Sequence, residues 1–220
     1  MQNYSFRKYQ FLSLRLWHWA NSIVILGLLG TVLIRKTFLS WRTNAALIEE
    51  KMKAEGTPVT PELAKEIAVA IRNPLWDWHI YLGFVLGFLL LARILIAIII
   101  EKKSPGFSAI KVAFGIKQVP KEERTRALHF TAVKAGYAIF YVVTLLMVIT
   151  GFLLNFKAEI GLSRDLAATT KEIHEIMMWF FVFFVGGHII GVVLAENRSD
   201  PGIVSDMIHG GKSEQNPRSE

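Results

Sequence analysis

Four long apolar runs, at about 16–34, 78–100, 132–156 and 173–195, are separated by stretches rich in Lys, Arg, Glu and polar residues. Each run has few charges and reaches the length of about 20 residues that a helix needs to cross a hydrocarbon layer about 30 Å thick. The pattern predicts an all-α integral membrane protein, a four-transmembrane-helix bundle forming one membrane domain over residues 1–220. The first run has no small-residue cleavage site and carries Arg15 and His18 at its start, so it reads as an uncleaved anchor.

The polar stretches are not equivalent. A long loop at about 38–74 contains two helical signals: residues 44–55, ending at Gly56, and a second helix opened by Thr60-Pro61-Glu62. Threonine as N-cap with proline at the first helical position starts that second helix, and Asn73-Pro74 is expected to stop it. The loop reads as a solvated connector, or as a docking platform or lid on the outer side. The inner loop, at about 101–130, is basic, and residues 108–117 form an amphipathic segment suited to the membrane surface.

Composition agrees with the pattern. The chain is 52% hydrophobic, with a net charge of +7 and no cysteine. With the N-terminus inside, the inner segments hold thirteen Lys and Arg against ten in the outer ones. This modest bias favours cytoplasmic N- and C-termini in a bacterial inner membrane. The positive charge suits an anionic lipid leaflet and does not call for nucleic acid. Lack of cysteine removes disulfides, iron–sulfur ligation, thiolate zinc sites and covalent haem attachment.

Six histidines remain as candidate metal ligands. His18 begins the first span, His79 begins the second, and His174 and His188 lie fourteen residues apart in the fourth. Fourteen residues is just under four turns, so the two imidazoles of the fourth span share one face, roughly 21 Å apart. Alternating helix direction matches His79 to His174 at outer depth and His18 to His188 at inner depth. A lone histidine near a helix end is ordinarily interfacial. Four at matched depths, with no cysteine, read as two bis-histidine sites for two haems b. His209 falls in the polar tail, and His129, just before the third span, reads as interfacial or as near a propionate or a quinone.

Other residues add detail. Arg15, one turn before His18, is placed to reach a haem propionate. Arg93, inside the second span, needs a partner, which a propionate or a helix-end carbonyl would supply. Trp17, Trp19, Trp76 and Trp78 fit an interfacial aromatic belt. Glycines near the histidines, such as Gly27, Gly83 and Gly187, leave gaps for a macrocycle or for helix packing.

Several segments together resemble the bacterial cytochrome b561 and nickel–iron hydrogenase b-type cytochrome family. They are Arg15-Leu16-Trp17-His18-Trp19, Trp78-His79-Ile80-Tyr81-Leu82-Gly83 with Arg93 ten residues on, Thr150-Gly151-Phe152, and the histidine pair of the fourth span. The tail, with Ile203-Val204-Ser205, Met207 and Gly210, is similar to the ending of hydrogenase cytochrome subunits. The resemblance covers all four spans and the tail. It implies two non-covalent haems b held by His18, His79, His174 and His188, and electron exchange with the quinone pool. The family's His-Asn-Pro before the third span is replaced by His129-Phe130-Thr131.

The combined expectation is a dihaem b-type membrane cytochrome carrying electrons between an outer partner or reductant and quinone. One version is an electron-conducting anchor for a dehydrogenase or hydrogenase iron–sulfur subunit on the outer side. The alternative is a self-sufficient superoxide or small-reductant:quinone oxidoreductase. A haem-free metal transporter or scaffold is the third class. Oligomeric state is left open, a homo-oligomer included.

Overall fold

The computed structural model describes residues 11–100, 120–198 and 201–211, and every regular element in them is helical. In chain order they are α1 (Leu12–Lys36), α2 (Trp41–Ala54), α3 (Pro61–Leu95), α4 (Lys121–Asn155), α5 (Arg164–Arg198) and α6 (Ile203–His209). A π-helical turn at Ile96–Ile100 follows α3 directly. Among the described residues four stretches are long and apolar enough to cross a membrane: Leu12–Lys36, Pro61–Ile99, Phe130–Asn155 and Arg164–Asn197.

Their side chains are distributed as lipid solvent requires. Large apolar residues point outward, Phe183 being 74% exposed and Ile23 68%. Backbone amides and carbonyls are satisfied along the helices, which is what makes a helix viable in hydrocarbon. The buried threonines Thr31, Thr144, Thr150 and Thr170 each return the hydroxyl to a carbonyl of their own helix. Thr144, the largest fully buried side chain among the described residues, returns its hydroxyl to the Phe140 carbonyl at 2.7 Å.

Two compact units are distinguishable, residues 21–87 and the chain on either side of them. In the first, α2 packs on the beginning of α3 through Ala45, Ala64 and Ala68, with Trp41, Ile48 and Val59 around them. Alanine at the contact lets the two helix backbones approach closely. The N-cap read from the sequence is present: Thr60 Oγ1 accepts the Leu63 amide at 3.3 Å. In the second unit, Phe140 of α4 meets Phe181 edge-on at 5.8 Å and stacks on Phe184 at 4.8 Å.

The helices outrun the apolar runs. Asn73-Pro74 does not stop a helix: α3 continues through Pro74 and enters the span without a break. An interior proline removes one intrahelical hydrogen bond at a cost of about 3 kcal/mol. Strong helix on both sides outweighs so local a penalty. Similarly, α4 starts at Lys121 and α5 at Arg164, well before the apolar runs. Hydropathy marks where lipid contact begins, whereas the helix extends as far as its backbone can keep bonding. The amphipathic segment expected at 108–117 lies outside the described residues.

Candidate functional site

His79 is held by a threonine on a neighbouring helix. Thr31 Oγ1 lies 2.7 Å from the Leu28 carbonyl and 2.8 Å from His79 Nδ1. A carbonyl can only accept, so the single hydroxyl proton goes to Leu28. What Thr31 offers His79 is therefore a lone pair, and Nδ1–H donates to it. Nε2 is left with its own lone pair, the state a metal-ligating imidazole needs. Thr31 is buried, which keeps water from competing for the bond. The Trp76 indole stacks on the ring at 4.8 Å and 7°.

His174 is held in the same way from α4. Thr150 Oγ1 is 2.7 Å from the Leu146 carbonyl, 3.2 Å from that of Met147 and 2.8 Å from His174 Nδ1. The same proton count makes Nδ1–H the donor and puts on Nε2 the lone pair that a metal-ligating imidazole needs. Gly151 supplies the space: a Cβ there would lie 3.3 Å from His174 Cε1. Glu175, the acid nearest in sequence, is turned to Lys171 at 3.3 Å.

The other two histidines face each other. Ring centroids of His18 on α1 and His188 on α5 are 6.1 Å apart, with planes at 57°. An imidazole nitrogen binds a metal at about 2 Å, so two on opposite sides of one ion stand about 4 Å apart. Adding the distance from each nitrogen to its ring centre brings the centroids to about 6 Å. The spacing would let the two imidazoles hold one metal ion between them. Trp19 lies edge-on to His18 at 5.3 Å, and Phe184 parallel to His188 at 6.2 Å.

A sequence model of the prokaryotic cytochrome b561 family matches residues 10–210, which takes in all four spans and the tail helix. The chain belongs to that family. No curated protein and no solved structure matches it. As a prokaryotic cytochrome b561 it is a multi-pass bacterial membrane protein, a helical b-type cytochrome that binds haem b and serves electron transfer.

Within this cytochrome b561 the arginines singled out from sequence have specific partners. The Arg15 guanidinium donates to the Ile208 carbonyl of α6. Gly210 follows at φ +102°, and a Cβ there would stand 3.2 Å from Arg15 Cζ, so a side chain would be both strained and obstructed. Trp19 Nε1 adds a bond to the Met207 carbonyl at 3.3 Å. At the other end of α6, the Glu196 carboxylate accepts the amides of Gly202 at 3.0 Å and Val204 at 3.1 Å. These contacts tie the tail helix to the start of α1 and to the end of α5.

Arg93 donates from Nε to the Tyr141 hydroxyl at 3.1 Å and lies over the Trp17 ring at 5.7 Å. Trp17 in turn donates to the Leu89 carbonyl at 2.7 Å. The tryptophans thus do more than form a belt, since Trp17, Trp19 and Trp76 each have an internal partner. The side chain of His129, on α4, lies outside the described residues.

Sequence reasoning missed Thr31, Trp76 as a stacking partner, Tyr141 and Glu196. For Thr31 a signal existed: it is the single hydroxyl within Leu26–Ile34, where every other residue is apolar or glycine.

Proposed function

We propose that this cytochrome b561 is a dihaem electron carrier. Electrons cross the membrane between an outer redox partner or small reductant and the quinone pool on the inner side, with both termini cytoplasmic. His79 and His174 hold the outer haem, and His18 and His188 the inner one. The observation that carries the reading is the matched pair of threonine–histidine bonds, Thr31–His79 and Thr150–His174. Each fixes Nδ1–H as donor and leaves Nε2 to bind, so the two rings are prepared for the same chemistry. The 6.1 Å spacing of His18 and His188 supports a second site of the same kind.

Haem b, once bound, supplies the one-electron ferric–ferrous couple. The chain's part is to hold and tune it. Imidazoles fixed by buried threonines resist rotation, and a pair of histidines holding each iron would favour electron transfer over oxygen chemistry. Along α5, His174 and His188 are roughly 21 Å apart by helix rise, within the thickness of the hydrocarbon core. Among the described residues no group of three or more His, Cys, Asp or Glu is gathered to hold a bare metal ion, which gives a metal transporter no support.

Haem quantitation and a redox titration of the purified protein test the proposal. Two b-type haems per chain with separable potentials are expected. Purified protein without paired b-haem absorption would sink it. Quinone reduction by the isolated protein with a small reductant identifies the self-sufficient form. A co-purifying iron–sulfur partner identifies the conduit form.

A further inference from the structure

One face of α3 carries more than His79. Arg72, Trp76 and His79 are spaced i, i+4, i+7 and form a single stripe. Opposite it on α1, Thr31 and Arg35 are one turn apart. Thr31 bonds His79, and Arg35 lies over Trp76 at 4.5 Å from the ring centre. Arg35, Trp76 and His79 are therefore a continuous stack: a cation on an indole on an imidazole.

Each of the two half-buried arginines has one nitrogen that lacks an acceptor among the described residues. Arg35 Nη1 and Arg72 Nε are buried and without a hydrogen-bond partner among the described residues. Neither arginine is in an ion pair with a carboxylate there. They are also close enough to act on each other electrostatically, an unfavourable juxtaposition of like charges. Buried guanidinium donors left unmatched are costly, and a like-charged pair adds to the cost unless an anion lies between them. Guanidinium forks match a carboxylate in geometry as well as charge.

We propose that Arg35 and Arg72 form a carboxylate clamp for a propionate of the haem carried by His79, with Trp76 as the spacer that sets Arg35 in place. The inference rests on the haem reading of His79. The clamp neutralises the propionate and anchors the macrocycle against rotation about its iron–imidazole bond. Its positive charge favours the ferrous form of that haem over the ferric, raising its potential.

The test uses the full-length, haem-loaded protein in detergent, with an Arg35→Gln/Arg72→Gln double variant and an Arg35→Lys/Arg72→Lys control that keeps the charge. Haem transfer to excess apomyoglobin measures retention, and redox titration measures potential. In the Gln variant, the haem that His79→Ala also lacks should leave roughly tenfold faster or more, as loss of paired charge-assisted contacts implies. Its potential should fall, and the Lys control should recover most of both. Apoprotein reloaded with the dimethyl ester of haem, which has no carboxylates, should lose that haem equally fast in wild type and Gln variant.

Unchanged retention and potential in the Gln variant would overturn the clamp while leaving the haem sites intact. Faster loss with the ester still weaker in the Gln variant would place the propionate elsewhere and overturn it too. Wild-type protein carrying no haem would instead overturn the haem reading on which the clamp depends.

Discussion

Thr150 accepts a 2.8 Å hydrogen bond from His174 Nδ1 because its own proton is committed to the Leu146 carbonyl one turn back in α4. A residue on one helix thereby decides which nitrogen of a residue on another can bind a metal. Thr31 does the same for His79 from α1.

Removing either hydroxyl should weaken haem binding without abolishing it. Thr150→Val and Thr31→Val keep the shape and delete the acceptor, and loss of such an outer-shell partner costs roughly 10–100-fold in metal-site affinity. Serine at either position should restore most of it. Haem titration of apoprotein followed by Soret absorbance measures the effect, and wild-type affinity in both valine variants would mean that the bonds do not orient the ligands.

The Gly151 position should be graded by size. With a Cβ 3.3 Å from His174 Cε1, alanine requires the ring to shift by a few tenths of an ångström, whereas valine leaves it nowhere to go. Gly151→Ala should alter the potential of one haem, and Gly151→Val should lose the haem that His174→Ala loses. Haem stoichiometry and reduced-minus-oxidised spectra of the three variants decide it. A full haem complement in Gly151→Val would show that the backbone yields instead.

Histidine deletions should fall into two pairs. His18→Ala and His188→Ala should lose one haem, and His79→Ala and His174→Ala the other, each leaving its counterpart spectrum in place. Different haems lost by His79→Ala and His174→Ala would break the proposed outer pairing. The inner pairing is tested independently by His18 and His188.

Arg93 reports on the Trp17–Tyr141 cluster. Arg93→Ala leaves the Tyr141 hydroxyl without its 3.1 Å donor and Trp17 without its cation, and should lower haem retention or shift one potential. Tyr141→Phe should act in the same direction but less, because the charge stays. Potentials of both variants equal to wild type would reduce Arg93 to a packing role.

Tail docking is separable from ligation. Arg15→Ala removes the donor to Ile208, and Glu196→Ala removes the acceptor of two amides at the opposite end of α6. Both variants should expose residues 201–211 to limited proteolysis. Mass spectrometry of the digests checks this, and a protected tail in both would mean that apolar contacts alone hold it.

Much of this protein was legible from local pattern. Four spans follow from hydropathy because burial in lipid depends on each residue's own transfer free energy, summed over about 20 neighbours. The histidine pair of α5 follows from helix period, and the restriction to non-covalent haem from the missing cysteines. Partners were another matter. Thr31 and His79 are 48 residues apart, Thr150 and His174 are 24 apart, and Arg15 meets a carbonyl 193 residues away. Periodicity carries no information about which hydroxyl or carbonyl another helix will present. Pro74 shows the limit from the other side: a residue that breaks helices in isolation sits inside one here, because the turns on either side outweigh it. The sequence by itself determined how many helices cross the membrane and which side chains are able to ligate. Only the tertiary structure decided which ring nitrogen of His79 and of His174 carries the proton and which partners Arg15 and Arg93 meet, since those are settled by directional bonds between helices distant in the chain.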